Sequence, residues 1–311
     1  MDTTTSSPGV PQAVIAPVHS AATPPAAAAA AEPLLARKPR RSGGFGPSGL
    51  LGLAVLAFWL LAALFGPSLM SQSIGAMGGA DVFAPMSAAH WLGTDYLGRD
   101  MLARVIDGSR YTVGIAFIAT LLASGIGTTL ALLAAASGRW LDAGLSRGLD
   151  TLTAIPSKMF ALLMVAGFGS SVPMLIATAA IIYVPGAYRI ARSLAVNINA
   201  MDYVTVARTR GEGTAYVMLR EILPNILSPV LVVGTVRMAT VIMLEASLSF
   251  LGLGVRSPTA SWGSMVADGR DFLFDAWWVS TLPGIAILVL VLAINVASQG
   301  LRDAFDPRMR T

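Results

Sequence analysis

The chain has 311 residues, of which 55% are hydrophobic and only 12% are charged, whereas an ordinary soluble domain carries about 25% charged residues. This composition indicates a membrane protein with several spans. The absence of cysteine excludes a disulfide framework, and the only two histidines, His19 and His90, lie too far apart in sequence to suggest a metal centre. The net charge of +4 comes without a basic stripe interleaved with aromatic residues, which argues against nucleic-acid binding.

The first segment, residues 1–44, is rich in Ala, Pro, Thr and Ser and ends in a basic cluster. Such a segment cannot bury enough apolar surface to offset its ordering entropy. Its charges follow the alanine tract, whereas a signal peptide would place them before an apolar run. We therefore expect a disordered cytoplasmic tail over 1–44. The first transmembrane helix and an extracytoplasmic loop are expected over 45–110, and a transmembrane core with a short C-terminal tail over 111–311.

Six stretches of the chain are apolar enough to cross a membrane, which takes about 20 residues of helix. The third is the weakest, because Pro156 and Lys158 lie near its start. The sequence predicts an all-α polytopic membrane protein with six transmembrane helices, at 49–70, 111–137, 151–168, 172–187, 226–248 and 277–298.

Two further patterns lie in and before the second span. Small residues recur there at four-residue intervals, which predicts close helix packing rather than a pore lining. They are Ala119, Ala123, Gly127 and Ala131. The preceding stretch 93–108 is amphipathic, and Asp100 and Arg104 are spaced to pair on a helix. We expect it to lie on the membrane surface or on the ends of the spans; a contact with an external partner is the alternative.

Basic residues in the connecting segments predict the orientation of the spans, since cytoplasmic loops are enriched in Lys and Arg. If the N-terminus is cytoplasmic, fourteen basic residues fall inside and five outside. The outside five are Arg99, Arg104, Arg110, Arg256 and Arg270. This asymmetry predicts that both termini, and the segment between the fourth and fifth spans, face the cytoplasm.

That segment, "YVTVARTRGEGTAYVMLREILPN" over 203–225, is polar although it separates two apolar spans. Residues 203–210 can form a short helix that Gly211 and Gly213 interrupt. A second helix over 214–222 is expected to end at Pro224. The pattern predicts a compact elbow within a loop over 200–225. An interfacial connector and a docking site are both compatible with it.

Ionisable residues inside the fifth span are Arg237 and, eight positions later, Glu245. Eight residues advance a helix by about 12 Å and turn it by about 80°, so the two side chains lie on adjacent faces and cannot form a simple pair. Intramembrane charges are costly and tend to face a bundle interior or a water-filled route. Either they border a translocation path or gate, or each pairs with a neighbouring helix and only fixes packing.

Active-site chemistry is not expected in this chain. There is no G-x-x-x-x-G-K-[ST] phosphate cradle, and the sequence assembles no Ser/His/Asp set, catalytic carboxylate pair or metal-ligand cluster. We therefore predict no catalytic residue, no metal site and no enzymatic activity of its own.

The elbow resembles the cytoplasmic loop of bacterial ABC-importer permeases, with its E-A-A-x-x-x-G and I-x-L-P motifs. The matching positions are Thr205, Val206, Ala207, Arg208 and Gly211, followed by Ile222, Leu223 and Pro224. Further blocks run in family order and are similar to the C-type permease of dipeptide, oligopeptide and nickel importers. They are "HWLGTDYLGRD" (90–100), "ARVIDGSRYTVGIA" (103–116), "DTLTAIPS" (150–157), "EASLSFLGLGV" (245–255), "WGSMVADGR" (262–270) and "LRDAFDPR" (301–308).

The resemblance implies a type I importer fold and an assembly in the bacterial cytoplasmic (inner) membrane. In that assembly the chain pairs with a homologous B-type permease, two ATP-binding-cassette ATPase subunits and an extracytoplasmic substrate-binding protein. The partner ATPases would bind ATP and Mg, so this chain would hold no cofactor. The first helix of the elbow would dock on an ATPase and move when the ATPases close. This movement would shift the helix bundle between its inward-open and outward-open forms.

Thr205 and Val206 depart from the family's Glu and Ala, and Arg210 stands where an apolar residue is usual, so the family's contacts at the ATPase interface do not carry over directly.

Di- or oligopeptide import is the leading hypothesis; nickel, glutathione or another small solute is the alternative. A self-sufficient secondary transporter would predict inverted repeats with interrupted spans in both halves, which the sequence does not show. A membrane scaffold would leave the elbow unexplained.

Overall fold

The computed structural model describes residues 46–69, 81–255 and 259–305, and long helices dominate these ranges. The predicted tail over 1–44 and residues 306–311 lie outside the described residues. In chain order the helices are α1 Pro47–Leu69, α2 Met101–Ser137, α3 Arg139–Thr153, α4 Ser157–Phe168, α5 Val172–Asn199, α6 Asp202–Thr209, α7 Thr214–Phe250, α8 Trp262–Gly269 and α9 Trp278–Phe305.

Five of these helices are long and apolar enough to cross a membrane, namely α1, α2, α5, α7 and α9. The third predicted span, 151–168, is wrong as a single straight helix. The chain bends by 81° between α3 and α4, because Pro156 sets an extended backbone at the bend. The 12 residues of α4 reach only about 18 Å, so a sixth crossing requires α3 and α4 together.

The second and fourth spans are longer than predicted. Helix α2 begins at Met101, so the second half of the amphipathic stretch is the first part of the span rather than a separate surface helix. Its N-terminus is capped by Asp100, whose carboxylate accepts hydrogen bonds from the backbone N–H groups of Leu102 and Ala103. Helix α5 continues past the predicted end at 187 to Asn199.

Helix α7 runs through Pro224, so the prediction that this proline ends the second elbow helix is wrong. Residues Val217–Ile222 form a π-helical turn, in which the Leu223 N–H donates to the Met218 carbonyl five residues back. In an ordinary α-turn a proline ring clashes with the carbonyl four residues before it, and the wider π-turn leaves the ring room. The elbow is therefore continuous with the fifth span.

The stripe of small residues on α2 packs against α5, as the sequence predicts. Ala119 and Ala131 are completely buried. A side-chain carbon added at Gly127 would come within 2.8 Å of the backbone nitrogen of Tyr188. The two helices therefore approach at backbone contact distance, and larger residues at these positions would separate them.

The end of the bundle where α2 begins is closed by the 81–100 segment and by α8. The Trp262 side chain is fully buried; its indole N–H donates to the Val105 carbonyl at 2.8 Å, and its ring meets Trp59 edge-on at 4.6 Å. The Trp278 indole, at the start of α9, donates to the Thr94 carbonyl at 3.1 Å. These contacts place the 81–100 segment and α8 at the N-terminal end of α2, whereas the elbow packs against Leu132 near its C-terminal end.

Candidate functional site

The elbow, residues 202–225, consists of α6, a four-residue turn and the first part of α7. Gly211 has a φ of +88°, a backbone conformation that residues with a side chain adopt at a cost. Its N–H donates to the Arg208 carbonyl at 3.0 Å, and the next N–H, of Glu212, donates to the Ala207 carbonyl at 3.2 Å. These two hydrogen bonds pair carbonyl groups in the last turn of α6 and end the helix. The predicted glycine break is therefore confirmed.

The inner face of α6 is buried against the membrane helices. Val204 and Ala207 are completely buried. Val204 belongs to a cluster that joins α6 to α2, α5 and α7 through Leu132, Ala195, Val217, Ile222 and Ile226. Two of the predicted site residues, Ala207 and Ile222, therefore hold the elbow in place and are not accessible to a partner.

Hydrogen bonds tie the elbow to the ends of α2 and α5. The Asn199 amide donates to the Ala135 carbonyl at 3.0 Å, and its oxygen accepts from the Arg208 guanidinium at 2.9 Å. The Asn225 amide donates to the Tyr203 hydroxyl at 3.2 Å. A displacement of α6 would therefore be transmitted to three membrane helices.

The outer face of the elbow combines exposed apolar side chains with arginines. Val206 is 54% exposed and Leu219 is 57% exposed. Among the other predicted site residues, Thr205, Arg208, Gly211 and Pro224 are exposed, and Leu223 is half-buried. Apolar patches rimmed by polar residues are typical of protein interaction sites. The aromatic residues Tyr203 and Tyr216 add to this surface.

Sequence reasoning did not single out Asn199, Tyr203 or Asn225 as site residues, although Tyr203 and Asn225 bound the quoted segment 203–225. Asn199 ends α5, and Asn225 lies inside α7, three residues after the π-turn. An amide at a helix end can satisfy backbone groups that the helix leaves unpaired, which is the signal that would have marked Asn199. The motif comparison did not include them, because they lie outside the matched letters.

Arg237 lies in the middle of α7, and its side chain is half-buried between α7 and α5. A side-chain carbon added at Gly186 would stand 3.1 Å from a guanidinium nitrogen, so this glycine leaves the space that the guanidinium occupies. Within the described ranges, Arg237 has no carboxylate within salt-bridge distance and no hydrogen bond. The guanidinium is thus a cation at mid-span without a counter-charge from the described part of its own chain.

Glu245 has a different environment, because it is only 3% exposed. The Ser249 hydroxyl donates to its carboxylate at 2.6 Å, and the Ser261 hydroxyl lies 3.0 Å from that of Ser249. Ser261 is also the N-cap of α8. This position favours the packing alternative for Glu245, since the polar chain fastens α8 to α7 inside the bundle.

A buried ion network at the opposite end of the bundle was not expected from the sequence. Arg104 pairs with Asp95 rather than with the predicted Asp100, and the Arg99 Nε donates to the same carboxylate at 2.7 Å. Burial by itself would raise the pKa of Asp95. The backbone N–H groups of Arg99 and Leu97 and the Arg104 charge outweigh burial and lower this pKa from its usual value.

Comparison with known proteins decides the family. The model of the binding-protein-dependent transport system inner membrane component matches residues 127–311. A dipeptide transport system permease protein of Alkalihalophilus pseudofirmus is 36% identical over 84% of this chain and 86% of its own length. The chain therefore belongs to the family of binding-protein-dependent transport system inner membrane components. A putative peptide transport system permease protein of Brucella suis is 38% identical over 89% of this chain and 92% of its own.

The fold is also similar to that of a solved importer. A chain of the inward-facing MetNI methionine ABC transporter matches with a TM-score of 0.55 at 15% identity, over 66% of this chain and 98% of that one. The chain is therefore a multi-pass inner-membrane permease with the type I importer fold, as the resemblance implied. Among the described residues, no group of three or more metal-ligating side chains lies together.

Proposed function

We propose that this chain is the C-type permease subunit of an ATP-driven importer of di- or oligopeptides. The observation that carries the proposal is the elbow, whose inner face is fixed to α2, α5 and α7 while its outer face is exposed. Such a surface can bind a moving partner and pass its movement to the membrane helices. The chain's membership of a binding-protein-dependent transport family supports the importer assignment.

ATP hydrolysis belongs in this proposal to two partner ATPases, which bind ATP and Mg and close against each other. The chain has no phosphate-binding loop of its own. The exposed Val206 and Leu219 would enter a groove on the ATPase, and the exposed Arg210 and Arg220 would contact acidic groups at its rim. Arg208 already bonds Asn199, so it would hold α6 in position rather than replace the family's glutamate at Thr205.

The remaining partners are a homologous B-type permease, which would complete the transmembrane unit, and an extracytoplasmic binding protein, which would deliver the cargo. The distribution of basic residues supports an elbow and termini on the cytoplasmic side. The binding protein would then meet the opposite end of the bundle, formed by the 81–100 segment and α8. Arg237 would border the translocation path, and Glu245 would fix α8 beside it.

Peptides are the favoured cargo because the relatives described above are named as dipeptide or peptide permeases. Nickel, glutathione or another small solute remains the alternative, since this architecture does not by itself specify the solute. Uptake of a labelled dipeptide and of labelled nickel by cells with and without the chain distinguishes the two.

Affinity purification of the tagged chain in mild detergent tests the importer assignment. We expect an ATP-binding-cassette ATPase and a second permease to co-purify. We also expect Leu223→Asp, which alters the half-buried start of the spanning part of α7, to reduce dipeptide uptake. If no ATPase co-purifies and substitutions at Leu223 and Gly211 leave uptake intact, the assignment fails.

A further inference from the structure

In the described part of the chain, the environment of Arg237 contains no negative charge. Its guanidinium is half-buried beside Gly186. The nearby Tyr183 hydroxyl donates to the Thr240 carbonyl at 3.3 Å, so this tyrosine offers no anionic partner. Glu245 lies about 12 Å farther along the helix, and its carboxylate is already bonded to Ser249. The described part of the chain therefore leaves the Arg237 charge uncompensated.

The depth of Arg237 limits what can neutralise it. It stands at the centre of the predicted span 226–248, about 16 Å along the helix from either end. The hydrocarbon core is about 30 Å thick, so lipid phosphates lie near the ends of this span. Long basic side chains reach the headgroups only from near helix ends. An anion that meets Arg237 must therefore come from a neighbouring subunit or from the cargo.

The face beside Arg237 is open along α7. Val236, Thr240 and Met243 are exposed, and Ser247 is half-buried, at intervals of three and four residues that place them on one side of the helix. Arg237 is at the edge of this face, on the side toward α5. A face that mixes hydroxyls with apolar side chains and a cation fits a hydrophilic solute better than it fits lipid.

We propose that Arg237 binds the carboxylate of a peptide as the peptide crosses the membrane. A guanidinium holds a carboxylate through two parallel hydrogen bonds, and both charges gain from pairing where water is scarce. A terminal carboxylate is common to all unmodified peptides, so one arginine can serve cargo of any sequence. The site would favour peptides with a free C-terminus. This inference rests on the proposed import of peptides.

The test compares a dipeptide with its C-terminal amide in proteoliposomes that contain the complete transporter and its binding protein. Maximal uptake rates at saturating peptide are compared, because affinity for the binding protein then enters KM rather than the maximal rate. Arg237→Gln should lower the maximal rate for the free acid by about tenfold or more, since hydrogen bonds between charged groups are the strong ones. The rate for the amide should stay nearly unchanged.

Two variants serve as controls. Arg237→Lys keeps the charge but loses the bidentate geometry, so the free acid should move at an intermediate rate. Leu231→Gln places the same amide side chain on an exposed position of α7 outside this face, and the ratio of the two rates should remain that of the wild type. The Tm of the purified complex is measured for each variant.

Equal losses for both peptides, or no loss for either, would overturn the role of Arg237. A lower Tm for Arg237→Gln would also overturn it, because the arginine would then pair with a fixed acid on another subunit. If the wild type carries the free acid but not the amide, the two peptides cannot be compared. The proposal then requires that Arg237→Gln lower the maximal uptake rate of the free acid and leave the Tm of the complex unchanged. A wild-type transporter that carries neither peptide contradicts the proposed function itself.

Discussion

At the scale of single residues, Gly211 and Gly213 form a matched pair within one turn. A side-chain carbon at either position would meet nothing within 4 Å. Only Gly211 has a positive φ, of +88°, whereas Gly213 has a φ of −73°. The two positions therefore separate the cost of backbone conformation from the cost of space.

We expect Gly211→Ala to destabilise the turn by about 1–2 kcal/mol, the cost of a left-handed conformation for a residue with a side chain. Gly213→Ala should be neutral or slightly stabilising, because alanine restricts the unfolded chain without strain. The measurement is the ATP hydrolysis that the loaded binding protein stimulates in the purified complex. Gly211→Ala should lower this stimulated hydrolysis, and Gly213→Ala should leave it unchanged. Equal behaviour of the two variants would show that the conformation of Gly211 does not matter for coupling.

Asp95 is the residue whose loss we expect to be most costly. Asp95→Asn leaves the buried guanidinium groups of Arg99 and Arg104 without their counter-charge, and breaking a buried pair from one side costs about 3–5 kcal/mol. Thermal unfolding of the purified protein measures the loss. Asp271→Asn is the control, because its ion pair with Arg270 is exposed, and it should leave Tm unchanged.

The Asp95 network also predicts a pH dependence. Its pKa is lower in the folded protein than the value of about 3.9 that is typical of an unfolded chain. The ionised carboxylate therefore stabilises the fold above that value, and the stabilisation is lost as the pH falls through the folded pKa. Asp95→Asn should unfold with a weaker dependence on pH below about 4. An identical acid transition in both proteins would contradict this role.

At the scale of helices, Gly125 and Gly127 test the contact between α2 and α5. Gly127 meets the backbone of α5, whereas a side chain at Gly125 would meet nothing within 4 Å. Gly127→Val should force the helices apart and cost about 1–3 kcal/mol or more. Gly125→Val should be tolerated. Tm of the detergent-purified protein compares them, and equal losses would place the packing contact elsewhere.

The helices also show where sequence reasoning succeeds and where it stops. Apolar length located the five long spanning helices, and the spacing of small residues found the packed face of α2. The bend at Pro156 and the π-turn before Pro224 were not predicted, because a proline either breaks a helix or is absorbed by a locally wider turn, and the surrounding packing decides which. The pairing of Arg104 with Asp95 depends on how the 81–100 segment folds back, which no helical spacing encodes.

At the scale of the whole molecule, the bundle joins two ends of different structure. The elbow is fixed to α2, α5 and α7 at one end, and the 81–100 segment and α8 close the other. The fold class and the importer family were predictable, since several ordered motifs carried the resemblance. The division of the elbow into a buried anchoring face and an exposed face was not predictable. A sequence motif that includes Ala207 and Ile222 does not show which way their side chains point.

The central claim is that the outer face of the elbow docks on an ATPase, and crosslinking tests it most directly. The natural chain has no cysteine, so single cysteines can be introduced at Val206, on the outer face, and at Trp91, an exposed residue of the opposite end. With a short bifunctional maleimide and the intact transporter, Val206→Cys should crosslink to an ATPase subunit that carries surface cysteines, and Trp91→Cys should not. Absence of an ATPase crosslink from Val206→Cys, or equal crosslinking from both positions, would contradict the account.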